Sequence, residues 1–307
     1  MIFYFMTSKK KLTLTMEQAI NFTGTGVAIV TPFTNKGAVD YSALTKLVDH
    51  IIKGRVEYIV VLGTTGETAT LSKEEKQLVI AHIIKVTKNR IPLVIGVGGN
   101  NTAELVEQLK KDDLTGFSAI LSVSPYYNKP SQEGIYQHYK AIAKASPLPI
   151  ILYNVPGRTA SNIAWETTIR LANEFKNIIA IKEASGNIEQ CMKIIKYRPD
   201  NFLIISGDDN LTLPLIASGA DGVISVVANA YPKDFSDMVR SALVHDFKTA
   251  QKLHYKLMEI TEQLFADGNP GGVKVVLAKK KITQTYVRLP LVEPNENVKA
   301  TLKNMAY

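Results

Sequence analysis

Short apolar runs and longer amphipathic stretches alternate along most of the chain. The runs 26–33 (GVAIVTPF), 57–63 (EYIVVLG), 92–98 (PLVIGVG), 118–125 (SAILSVSP), 149–154 (PIILYN), 178–184 (IIAIKEA), 202–207 (FLIISG) and 221–227 (DGVISVV) are rich in Val and Ile, and each predicts a strand. The stretches between them follow a helical period. In 72–88, Leu78, Val79, His82, Ile83 and Val86 recur at spacings of three and four, and Ser72 with Glu75 reads as a capping box. Eight near-continuous apolar strands separated by helices imply a parallel sheet covered on both faces. Eight such units over about 200 residues close most naturally into a barrel. The fold class is therefore α/β, a (β/α)8 TIM barrel with an appended C-terminal helical region. An open doubly wound sheet fits less well, because the first strand lacks a G-x-G-x-x-G turn.

After the eighth strand, 233–265 reads as one long helix, and at least one more helix follows. No linker rich in Pro, Gly or Ser separates this region from the strands. The expected organisation is a peripheral or disordered extension over 1–20, a catalytic barrel over 21–232, and a helical region over 233–307 packed on it. In the extension, the apolar part precedes the lysines and no small-residue cleavage site follows, so it resembles a secretory signal only superficially. Met6 and Met16 are both candidate starts.

Composition narrows the function classes. Hydrophobic residues make up 46% of the 307 and charged residues 21%, as in ordinary soluble proteins. No apolar run approaches the ~18 residues of a membrane span. The single cysteine, Cys191, allows neither an intrachain disulfide nor a thiolate metal site, which points to a reducing, cytoplasmic setting. The net charge of +8 is concentrated at the ends, with six lysines and one arginine against three acids in 265–307. No basic cluster is interleaved with aromatics as a nucleic-acid face requires. The run Lys279-Lys280-Lys281 reads as a solvated helix end. Neither nucleic acid nor membrane is an expected partner.

The chemistry is concentrated where polar side chains close apolar strands. Lys182 ends the run Ile178-Ile179-Ala180-Ile181. Such a lysine either leaves the strand into solvent or sits desolvated because its chemistry requires it. In a barrel of this type the active site lies at the C-terminal strand ends. There the sequence places Thr64 and Thr65, Tyr126 and Tyr127, Tyr153, Arg158 and Lys182 on one rim. A desolvated lysine favours its neutral form, which attacks carbonyls to form a Schiff base. Hydroxyls of Tyr153, Thr64 and Tyr127 would shuttle protons. Backbone N–H groups of a Gly-flanked Thr-Thr turn can hold a carboxylate, and an arginine can clamp one. Singly, each has a structural reading: GTTGE as a capped turn, Tyr126 and Tyr127 as core aromatics, Arg158 as a surface arginine. Asp208-Asp209 reads as a helix cap, and His82 and His138 lack a second ligand at metal spacing.

With GTTGE (63–67), PYYNKPSQEG (125–134), YNVPGRT (153–159), IKEASG (181–186), SGDD (206–209) and GVISV (222–226) in this order, the chain resembles the dihydrodipicolinate synthase family. That family lies within the pyruvate-dependent class I aldolases and lyases. The likeness runs from about Gly24 to Pro290 and includes NPGGVK (269–274), where the family more often has a proline beside the valine, and RLPL (288–291).

The resemblance implies condensation of pyruvate with L-aspartate-4-semialdehyde, on the diaminopimelate route to lysine. Lys182 would form the Schiff base, and Tyr153, Thr64 and Tyr127 the proton relay, Tyr127 reaching a neighbouring subunit's site. Thr65, with Thr64, would bind the pyruvate carboxylate and Arg158 that of the semialdehyde, with Gly207 and Ile224 lining the pocket. It also implies a homotetramer without metal or organic cofactor. A feedback site for L-lysine would include Asn100, Glu104 and Tyr126. Lys73 and Lys76 depart there from the histidine that sensitive members carry most often at the first of the two positions. The alternative within the superfamily is an N-acetylneuraminate lyase or another sugar-acid aldolase. Those lyases more often have Ser-Thr at Thr64-Thr65 and lack the arginine of PGRT.

Overall fold

A computed structural model describes residues 22–307. The expected extension over 1–20 lies outside the described residues. Eight parallel strands close a barrel in chain order. They are β1 (Gly24–Ala28), β2 (Tyr58–Val61), β3 (Leu93–Gly96), β4 (Ala119–Val123), β5 (Ile150–Asn154), β6 (Ile178–Glu183), β7 (Leu203–Ser206) and β8 (Gly222–Ser225). Seven of the predicted runs contain one strand each, and the remaining run, 26–33, overlaps β1. The strands are buried on both faces, as a barrel wrapped by helices requires. Tyr58, Val60, Val94, Leu121, Ile151, Ala180, Ile205 and Ile224 fill the interior. A larger apolar layer, including Ile59, Ile120, Ile150, Ile181 and Ile204, meets the helices.

The barrel is sealed where β8 meets β1. Gly222 is required there, because a Cβ on it would lie 2.1 Å from the Gly24 carbonyl oxygen. The strand expected over 26–33 starts two residues earlier and stops at Ala28. Beyond that point a side chain replaces the ladder: Asn229 accepts from the Val30 N–H and donates to the Ala28 carbonyl.

β6 contains an irregularity with consequences for the site. Ile150 pairs with Ile178, but Ile151 pairs with Ala180, so Ile179 is an extra residue in the ladder. A bulge of this kind reverses the alternation of faces. Ile178 faces the helices, whereas Ala180 faces the barrel interior. Lys182, two positions further on, therefore shares the interior face.

The helix over Lys73–Thr87 has the expected capping box, with both reciprocal hydrogen bonds formed. Its apolar stripe is narrower than the sequence suggested: Val79 and Ile83 are buried, but Leu78 is 57% exposed. The single helix expected over 233–265 is two, Pro232–Leu243 and Phe247–Phe265. His245 takes φ 63 between them, and the Asp246 side chain caps the second by accepting from the Thr249 N–H. The first packs on β1 and β8, in the place of the eighth barrel helix. Lys279 and Lys280 are not merely solvated. Lys279 donates to the carbonyls of Lys303 and Ala306, and Lys280 to that of Tyr307, so cations meet the C-terminal end of the last helix, Glu296–Met305.

Candidate active site

Lys182 is 6% exposed, at the C-terminal end of β6. Its amine lies 4.3 Å from the centre of the Tyr153 ring, and no carboxylate among the described residues pairs with it. Tyr153 is directly across on β5, and Ile205 directly across on β7. Gly207 makes room for the lysine stem, because a Cβ there would meet Lys182 Cε at 3.0 Å and Ala184 Cβ at 2.6 Å. Ile224 is buried in the same interior cluster as Tyr153. The strand end is held from the other face: the neighbouring Glu183 accepts from Asn154, Gln190 and the Ser185 N–H.

The turn after β2 is a short 3-10 helix, Thr64–Gly66. Its own bonds run from Gly66 N–H to Gly63 C=O and from Glu67 N–H to Thr64 C=O. The N–H groups of Thr64 and Thr65, the first of the turn, have no partner within it. Thr65 is buried and Thr64 exposed. The Asn269 side-chain amide donates to Thr65 Oγ1 at 3.0 Å, which leaves the threonine's own proton free for another acceptor. Thr31 anchors the turn by donating to the Gly66 carbonyl at 2.7 Å. Glu67 closes the turn in the left-handed region, φ 53, and its carboxylate is buried against Lys274.

Arg158 lies in the helical turn Pro156–Thr159 just past β5, exposed and without an ion pair among the described residues. Tyr127 does not join the lysine within this chain. It is 88% exposed at φ 73, so neither it nor Tyr126, 41% exposed, is a core aromatic. Asn100 Nδ2 donates to the Tyr126 carbonyl at 3.2 Å, which joins two residues of the expected feedback site. Glu104 is exposed on the helix Thr102–Lys111. Lys73 is exposed and Lys76 half-buried on the first turn of their helix.

Two groups escaped the sequence reading. Asp209 does not cap the next helix. It is buried and accepts from the Ser225 hydroxyl and the Val226 N–H, which ties the end of β7 to the end of β8. Burial pushes its carboxyl up to about 6, against the pull of those hydrogen bonds. Lys274 was passed over although it interrupts the apolar run GGVKVVL, the same anomaly that singled out Lys182. His138 is buried, bonded to Thr102 at 2.8 Å, and burial pushes its imidazole down to about 4. Among the described residues no cluster of three or more His, Cys, Asp or Glu could hold a metal ion.

Comparison with known proteins adds to this geometry. The Dihydrodipicolinate synthetase family matches residues 21–306. A 4-hydroxy-tetrahydrodipicolinate synthase of Flavobacterium psychrophilum is 57% identical over 90% of this chain and 94% of its own. Among solved structures, a dihydrodipicolinate synthase from Acinetobacter baumannii complexed with pyruvate is 44% identical, covers 93% of this chain and 98% of its own, and superposes with a TM-score of 0.89. A monomeric dihydrodipicolinate synthase variant is 37% identical, covers 92% of this chain and 95% of its own, and superposes at 0.90.

Proposed function

The chain belongs to the dihydrodipicolinate synthetase family, and we propose from that premise that it makes 4-hydroxy-tetrahydrodipicolinate, with Lys182 as the nucleophile. The observation that carries the mechanism is a nearly buried lysine amine with no carboxylate partner among the described residues, set against the Tyr153 ring. Buried lysines are normally paired, as Lys274 is with Glu67. An unpaired one is poised to attack a carbonyl.

The Lys182 amine adds to C2 of pyruvate, and water leaves to give the imine. The imine draws electrons from C3, which loses a proton and becomes the carbon nucleophile that attacks the semialdehyde. Tyr153, Thr64 and, from a neighbouring subunit, Tyr127 pass the protons. The Thr64-Thr65 turn holds the pyruvate carboxylate. The lysine imine is itself the electron sink, so we assign no metal or organic cofactor. The almost complete exposure of Tyr127 supports a site shared between copies of the chain, in a homotetramer. One free, buried cysteine and biosynthetic relatives support a cytoplasmic enzyme.

Arg158 makes no ion pair among the described residues, which leaves it for the carboxylate of the semialdehyde. Arg158→Ala should spare pyruvate adduct formation and lower condensation by about 30- to 1,000-fold, equivalent to roughly 2–4 kcal/mol. A variant with normal synthesis would remove Arg158 from this role. A coupled assay with aspartate semialdehyde, run beside cleavage of N-acetylneuraminate, tests the activity itself. Turnover only of the second substrate would overturn it.

Regulation should be weak. L-lysine brings an ammonium toward a region carrying Lys73 and Lys76. Two ammonium groups ~5 Å apart repel by roughly 3 kcal/mol at an effective dielectric near 20, about 100-fold in affinity. Glu104 offsets part of this. Initial rates at saturating pyruvate should fall by less than half at sub-millimolar L-lysine. Stronger inhibition would show that the two lysines do not disable the site.

A further inference from the structure

Three hydrogen bonds tie the turn after β2 to chain more than 200 residues away. Asn269 donates to Thr65, Lys274 Nζ donates to Glu67 Oε1 at 2.5 Å, and the Arg288 N–H donates to Glu67 Oε2 at 2.9 Å. The Lys274 and Glu67 side chains are both 0% exposed. A buried ion pair is weak evidence for stability, because desolvation offsets most of its attraction and an apolar pair of equal volume often serves as well. This one therefore needs a role other than holding the fold.

Its location supplies one. A three-residue helical turn with two internal hydrogen bonds does not fix its own position over a barrel mouth. Glu67 is the residue that ends it, and Glu67 is gripped from two sides. Lys274 stands within the buried helix Gly271–Lys279 and also donates to the Tyr286 carbonyl at 2.8 Å. The Arg288 guanidinium reaches the Thr70 and Gly37 carbonyls and the Glu75 carboxylate, locking the segment that supplies its N–H. Phe33 lies beneath both cations, 4.4 Å from each.

We propose that Lys274 is a positioning residue for pyruvate: through its ion pair with Glu67 it sets where Thr64 and Thr65 meet the substrate carboxylate, so the C-terminal helical region takes part in substrate recognition. This rests on the reading that the turn holds that carboxylate.

The test separates recognition from chemistry and from folding. Lys274→Met should raise KM for pyruvate by about 10- to 100-fold and change kcat at saturating pyruvate by less than ~3-fold. Borohydride trapping of acetaldehyde on Lys182, a carbonyl without a carboxylate, should be unchanged. Glu67→Gln, which keeps shape but loses charge, should shift KM in the same direction by a smaller factor. A purely structural role would lower kcat and acetaldehyde trapping while leaving pyruvate KM unmoved, and that result would overturn the proposal. If Lys274→Met does not fold, Glu67→Gln decides, and an unchanged KM there overturns it. Thr65→Val is the control. Unchanged KM in that variant and in Lys274→Met together removes the carboxylate reading and the proposal with it. Raised KM in Thr65→Val with normal values in the other two removes only the role of Lys274.

Discussion

Lys182→Ala should give no borohydride-stable adduct with pyruvate and should lose turnover by on the order of 10⁴-fold or more. On the proposed mechanism this buried amine forms the covalent intermediate, and no second lysine among the described residues stands at the interior strand ends to replace it. Mass spectrometry of the reduced protein would locate the modified peptide, and an adduct of normal yield in the variant would remove Lys182 from the mechanism. The same site makes an opposite forecast for stability. A buried amine without an anionic partner is unfavourable, so Lys182→Met should raise stability by roughly 1 kcal/mol or more while destroying activity. A clear loss of stability would mean that the amine has a structural partner.

Tyr153→Phe should slow turnover by about 10²- to 10⁴-fold, the usual contribution of a general acid–base group. Its ring is buried against the Lys182 amine, yet its hydroxyl makes no hydrogen bond to another described residue. Phenylalanine keeps the ring and breaks no bond of the resting protein, so the melting transition should shift by less than about 0.5 kcal/mol. The pairing of a large kinetic loss with an unmoved transition is what identifies a proton carrier. Near-normal kcat would assign the relay to other hydroxyls.

The strands were legible because both faces of each are buried, which writes them as apolar runs. Their edges were less so. The end of β1 depends on Asn229, about 200 residues away, and no local pattern announces that. The anomaly of Lys182 was visible, but its direction was not. Strict alternation from Ile178 would aim Lys182 at the helices, and only the extra residue at Ile179 turns it inward. The break at His245 was missed because helical spacing continues across it; the Asp246 cap was the available signal. Lys274 and Asp209 were undervalued for a different reason. What each does depends on a partner distant in the chain, Glu67 in one case and Ser225 in the other. For Tyr127 the place in the loop after β4 was legible but not its almost complete exposure, which depends on what packs beside that loop.

The seam between β1 and β8 has a consequence during synthesis. The two glycines that meet there, Gly24 and Gly222, leave the ribosome about 200 residues apart. At ~5–20 residues per second, β1 waits on the order of 10–40 s for the partner on its open side. Throughout that interval the nascent sheet presents an unpaired edge able to accept a foreign strand. A side chain at Gly222 would therefore be felt first as a lower yield of soluble protein, before any effect on the turnover of the molecules that close.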